Sequence, residues 1–150
     1  MATKKPTAVK SKSIDSKLID KLNEILELEL SGVARYLHYS LMIRGSGRIP
    51  ITKFFKEQAI ESFNHASIIG EKITALGGHP SLKAQAVKES NEHSTQALLR
   101  ESLEAERSGL EMYKKLLPLT DGDIALEEMI RGFVALEQSH IEEVEKMLVD

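Results

Sequence analysis

Near the C-terminus, steps of four and three residues pick out Leu126, Ile130, Phe133, Glu137, His140, Val144 and Met147. This spacing puts all seven on one face of an α-helix, and a face so largely apolar packs into a core. A glutamate and a histidine interrupt it. A carboxylate in a core is costly unless it is paired, protonated or bound to a cation. Any fold that accepts this helix must bring partners to Glu137 and His140 from its other elements.

Three more segments repeat the pattern. One carries Leu99, Leu103, Glu106, Leu110, Tyr113 and Leu117, and another Leu18, Leu22, Ile25, Glu29, Val33 and Tyr36. The last, Phe54, Gln58, Glu61, His65 and Ile68, is less clean, with two polar members at i and i+4. The breaks are as regular as the stripes. Ile14–Arg44 has no proline and one glycine, Gly32, before Gly45-Ser46-Gly47 closes it. Pro50 suits a first turn, and the second segment runs to about Leu76, ahead of Gly77-Gly78. The third spans about Asn91 to Leu117 and stops at Pro118 and Asp121-Gly122, and the fourth runs from about Asp123 to the C-terminus. No segment alternates with period two. The spacing predicts an all-α bundle of four long helices over residues 14–150.

Connection lengths predict the topology. The first and last connections are short, so each pair of helices forms an antiparallel hairpin. The middle connection, His79–Ser90, reaches about 40 Å when extended. A helix of roughly 27 residues has the same length. A long crossover between helices two and three is therefore expected.

Composition removes several function classes. With no cysteine, disulfides, thiolate metal sites and a cysteine nucleophile are out, and histidine and carboxylates remain as metal ligands. No apolar run approaches the roughly 20 residues of a membrane span, and Met1–Ser13 lacks the apolar stretch of a secretory signal. A cytoplasmic location is expected. Of the net charge of −3, residues 1–17 carry +4 and the rest −7. An acidic body argues against a nucleic-acid-binding core. Residues 1–13 read as a flexible basic tail, a candidate for DNA phosphates.

A single glutamate on such a stripe more often meets a lysine or arginine, and a lone core histidine usually finds a hydrogen bond. Here Glu29, Glu61, His65, Glu106, Glu137 and His140 all fall near the middle of their segments, so one slab at mid-bundle collects them. Four carboxylates and two imidazoles suit two iron or manganese ions, the carboxylates bridging and balancing charge. His38, His79 and His93 carry less weight: a residue that backs the ligands or packs, a turn residue and a solvated residue near a helix start. Tyr36 and Tyr113 are core residues placed to hydrogen-bond a ligand carboxylate.

The pieces LNEILELELSGVARY, ESFNHA, LEAERSGLEMY and LEQSHIEEVE resemble the ferritin superfamily, most of all bacterioferritins and their short bacterial relatives. Di-iron bundles of this kind take one glutamate from each of two helices and a Glu-x-x-His from each of the others. The resemblance covers about Leu18 to Leu148. It implies Glu29 and Glu106 as terminal ligands, Glu61 and Glu137 as bridging ligands, and His65 and His140 as nitrogen ligands. It also implies oxidation of iron(II), two irons per subunit, by dioxygen or hydrogen peroxide, and storage as mineral in a homo-oligomeric shell.

The chain departs from the family pattern in places. Ser62 stands three before His65 where a carboxylate is expected, so Glu61 must substitute through an adjustment such as a π-bulge, or bind weakly. Phe63 occupies the position of the haem-ligating methionine, so haem by that route is not expected. The end at Asp150 leaves out a fifth helix and implies a shell of about 12 subunits rather than about 24. EKITALGGHP resembles the mini-ferritins, whose inter-subunit iron site needs an aspartate where Ser67 stands. The intra-bundle site is therefore favoured. A mini-ferritin that mainly coats DNA, a di-metal peroxidase or catalase without a shell, and a metal-free bundle are the alternatives.

Overall fold

The computed structural model describes residues 15–149, so the basic segment of residues 1–13 lies outside the described residues. Asp15 caps the first helix by accepting the Leu18 amide at 3.2 Å, and α1 runs Ser16–Met42. After a turn, α2 spans Arg48–Ala75 as an unbroken α-helix. Gly77 ends it at φ 83°, where a side chain would be strained, and the Gly78 amide returns to the Ile73 carbonyl at 2.9 Å. Ser94 caps α3, Thr95–Leu116, and Asp123 caps α4, Ile124–Met147, each through its side chain. Between them Leu117–Thr120 forms one 3₁₀ turn, which carries the chain past Pro118. The expected elements are present, with ends moved by a few residues.

The two hairpins, α1–α2 and α3–α4, pack together chiefly through α1 and α3. The crossover is longer than expected, residues 76–94, and contains no helix. Hydrogen bonds lay it lengthwise along α1. Asn23 holds the His79 carbonyl (3.1 Å) and the Ser81 amide (2.7 Å), and Ser81 donates to Glu27 (2.6 Å). Farther along, the Gln85 amide meets the Glu27 carbonyl at 3.2 Å, and the Arg44 amide meets that of His93 at 3.3 Å. We predict that Asn23→Ala costs roughly 1–2 kcal/mol of local stability, two hydrogen bonds at about 1 kcal/mol each. Limited proteolysis should then cut residues 79–87 about tenfold faster.

The core divides into two apolar clusters. Leu22, Ile25, Ile69, Ile73, Leu126 and Ile130 belong to one. Tyr39, Phe55, Leu98, Leu99, Ile141 and Val144 belong to the other. Between them lies a polar layer. One stripe needs correction. In α2 the buried line is Phe55, Ala59, Ser62, His65, Ile69 and Ile73, while Phe54, Gln58 and Glu61 are half-buried and Ile68 is 46% exposed. Stepping through Glu61 shifted the expected face by one residue. Val33 is likewise half-buried, and Leu117, also half-buried, packs against the edge of the first cluster.

Candidate metal centre

The polar layer takes Glu29 from α1, His65 from α2, Glu106 from α3, and Glu137 and His140 from α4. Glu29, Glu106 and Glu137 are each 6% exposed and His65 is 5% exposed. Among the described residues no lysine or arginine forms an ion pair with any of them; their charged contacts are the two imidazoles. His65 Nδ1 lies 3.4 Å from Glu29 Oε1 and 3.8 Å from Glu137 Oε1, and His140 Nδ1 lies 3.4 Å from Glu106 Oε2. Donors about 2.1 Å from a shared ion sit roughly 3.0–3.4 Å apart, so these edges are close to those of a coordination shell.

Two sets of potential ligands result, Glu29–His65–Glu137 and Glu106–Glu137–His140, each with its ligand atoms within 4.8 Å of one another. Glu137 belongs to both, as a bridging carboxylate must. The cavity they enclose is about 40 Å³, and a water-sized body needs roughly 10–15 Å³ measured this way. That volume is enough to admit small ions.

Glu61 reaches the cluster from another side. Its Oε2 is 3.1 Å from His140 Nε2 and its Oε1 3.8 Å from His65 Nε2, so it faces the outer edges of both rings. It belongs to neither ligand set. No π-bulge turns it inward, since α2 is α-helical throughout. Ser62 occupies the inner position and lines the cavity with Arg35 and Gly32; sequence reasoning had given none of these three a part in the site. The signal for Ser62 was its place three residues before His65.

Both tyrosines brace ligands. Tyr113 Oη donates to Glu29 Oε1 at 2.6 Å, and Tyr36 Oη donates to Glu106 Oε1. Burial, then the charge of the carboxylate it meets, pushes each phenol well above its usual range, so both remain donors. Phe133 fixes the His65 ring edge-on, with centroids 4.8 Å apart.

The carboxylates do not share charge evenly. Burial, then the charge of Glu106, pushes Glu137 up to about 11. Burial also pulls Glu106 upward, but hydrogen bonds from His140, Glu137 and Tyr36 outweigh it and hold Glu106 below the usual range. Burial lowers His140, but Glu106 and Glu61 outweigh it and raise the ring above its ordinary value. Without a cation, then, the layer keeps a proton on Glu137. A cluster this short of positive charge, built of carboxylates and imidazoles, fits iron or manganese.

The other histidines lie elsewhere. His38 is exposed and pairs with Glu89 of the crossover at 3.2 Å, so it does not pack near the centre. His79 is exposed in the turn. His93 is not solvated as expected: it is half-buried, with Nδ1 2.7 Å from the Met42 carbonyl.

The family model for the ferritin-like domain matches residues 19–150. Bacterioferritin of Brucella melitensis is 28% identical over 137 residues, covering 89% of this chain and 84% of that protein. Bacterioferritin of Rhodobacter capsulatus is 26% identical over 140 residues, with the same coverage. Among solved structures, a ferritin-like diiron-carboxylate protein of Bacillus anthracis superposes with a TM-score of 0.86 at 26% identity, covering 92% of this chain and 99% of its own. The dodecameric thioferritin of Bacteroides fragilis gives 0.79 at 25% identity, over 88% and 84%.

Proposed function

The chain belongs to the ferritin-like domain family, and on that premise we propose that it stores and detoxifies iron, oxidising iron(II) at the polar layer and depositing iron(III) as mineral inside a homo-oligomeric shell. The observation that carries this reading is the pair of ligand sets sharing Glu137, with no lysine or arginine paired to them among the described residues. Iron(II) is the substrate. Two such ions give up one electron each, reducing dioxygen to hydrogen peroxide or hydrogen peroxide to water, so that one-electron reduction of oxygen is avoided. Glu29 with His65 and Glu106 with His140 hold the ends of the site, Glu137 bridges its middle, and Glu61 adds a fourth carboxylate beside the two imidazoles. Tyr113 and Tyr36 fix the outer carboxylates, while the two apolar clusters keep bulk water away. Loading the site displaces the proton on Glu137.

A shell of about 12 subunits is part of this reading, supported by the dodecameric relative of Bacteroides fragilis. Among the described residues no helix is long and apolar enough to cross a membrane, which accords with the cytoplasmic location we assign. Anaerobic iron(II) titration followed by oxygen tests the proposal. Near two irons per subunit are expected, with a rise in near-ultraviolet absorbance that His140→Ala weakens at least tenfold. Unchanged oxidation in His140→Ala would sink the site. Elution at monomer or dimer mass in gel filtration would favour a shell-free di-metal oxidoreductase instead.

A further inference from the structure

Resting on that reading of the polar layer, we infer that Glu61 is a positioning residue, not a metal ligand: its carboxylate holds the outer nitrogen of His140 and faces that of His65, leaving both Nδ1 atoms turned toward the cations. The two oxygens of Glu61 divide between the rings, Oε2 at 3.1 Å from His140 Nε2 and Oε1 at 3.8 Å from His65 Nε2. Each Nδ1 faces the other way, toward Glu106 or toward Glu29 and Glu137. A histidine that binds metal through one nitrogen almost always presents the N–H of the other to a carboxylate or carbonyl, which fixes tautomer and ring angle. Here one carboxylate lies within hydrogen-bond distance of the His140 ring and faces the His65 ring from farther off, and it links α2 to α4 across the layer.

The inner position is taken by Ser62, which brings no charge. Ser31, Ser40 and Ser102 turn their hydroxyls back on the carbonyls of Leu28, Leu37 and Leu99. Ser62 instead lines the cavity, against Gly32. The ligand set is then five residues: Glu29, His65, Glu106, Glu137 and His140. Glu137 is its only carboxylate bridge, and the cavity edge at Ser62 is left for a small ligand such as water or the oxidant.

Anaerobic cobalt(II) titration of the full chain, followed by its visible absorption bands, separates the roles. A positioning residue predicts that Glu61→Ala still binds two cobalt ions per subunit, 10–100-fold more weakly. Glu61→Gln, whose amide oxygen also accepts from an imidazole, should restore affinity to within about threefold. Nitrogen-15 spectra of the metal-free protein should show the Nε2 proton of His140 held in a hydrogen bond that Glu61→Ala abolishes. Loss of a cobalt ion from Glu61→Ala with no rescue by glutamine makes Glu61 a ligand and overturns the inference. If the wild-type chain binds no cobalt, the metal reading fails, and the Nε2 proton of His140 alone decides: its release in Glu61→Ala upholds the role of Glu61, and no change rejects it.

Discussion

Glu137→Gln is expected to raise the melting temperature of the metal-free protein while reducing iron oxidation more than about 100-fold. The amide keeps a donor for Glu106 but removes a carboxyl that burial and the charge of Glu106 hold protonated up to about 11. An unfolded glutamate loses its proton near pH 4.3. Across that interval the native state binds the extra proton, so its stability falls as pH rises, and the loss is complete only above the folded value. His140, also raised, contributes with the same sign above its ordinary value. Glu106, held low, contributes with the opposite sign, its stabilisation being lost in acid. The wild-type metal-free protein should therefore melt highest in mildly acidic buffer. The glutamine variant should gain on it steadily from pH 5 to pH 9. Replacing a carboxyl held protonated at neutral pH should return on the order of 1–4 kcal/mol, or roughly 5 °C for a chain of this size. Oxidation falls because the variant loses the group shared by both ligand sets, whereas losing even an outer partner of a ligand costs 10–100-fold. Thermal melts across pH and stopped-flow oxidation check both halves. A lower melting temperature at pH 9 would show that Glu137 is not held protonated.

Gly32→Leu should disable the centre with only a modest loss of fold. A Cβ at Gly32 would stand 2.6 Å from Ser62 Oγ and 3.1 Å from Ser62 Cβ, so α1 and α2 meet closely at the height of the ligands. Overpacking of this kind costs about 1–3 kcal/mol, and removing a helical glycine returns up to about 1 kcal/mol. The net loss, about 1–2 kcal/mol, lowers the melting temperature by roughly 2–8 °C. Iron oxidation should drop at least tenfold, because a ligand displaced by about 1 Å can cost 100-fold. The milder Gly32→Ala should be relieved in part by Ser62→Ala, which removes the nearer atom. Oxidation at the wild-type rate in Gly32→Leu would show that the helix spacing there does not set the site.

The bundle was legible because its signals are local. Gly45-Ser46-Gly47, Gly77-Gly78 and Asp121-Gly122 mark the breaks, and the stripes of α1, α3 and α4 repeat at helical spacing. All six polar side chains do reach one layer. Heights along a helix follow from counting residues, and four helices of similar length align their middles. Angles around a helix are harder to read. In α2, Glu61 and Ser62 differ by about 100°, and the stripe drawn through Glu61 put the charged residue on the inner face. Only the close approach at Gly32 and the apolar line through Phe55, Ala59, Ile69 and Ile73 show that Ser62 faces inward. The course of residues 76–94 was also hidden, since it depends on side chains of α1, such as Asn23 and Glu27, that carry no mark of their partners.

The two ligand sets differ in where the chain supplies them. Glu106, Glu137 and His140 all belong to the second hairpin, whereas Glu29 and His65 come from the first and meet Glu137 across the gap between them. During folding, the second hairpin can gather its donors before its counterpart has docked. The other pocket exists only once docking is complete. A cation captured there acts as a rivet between the two halves of the molecule, and one in its neighbour does not.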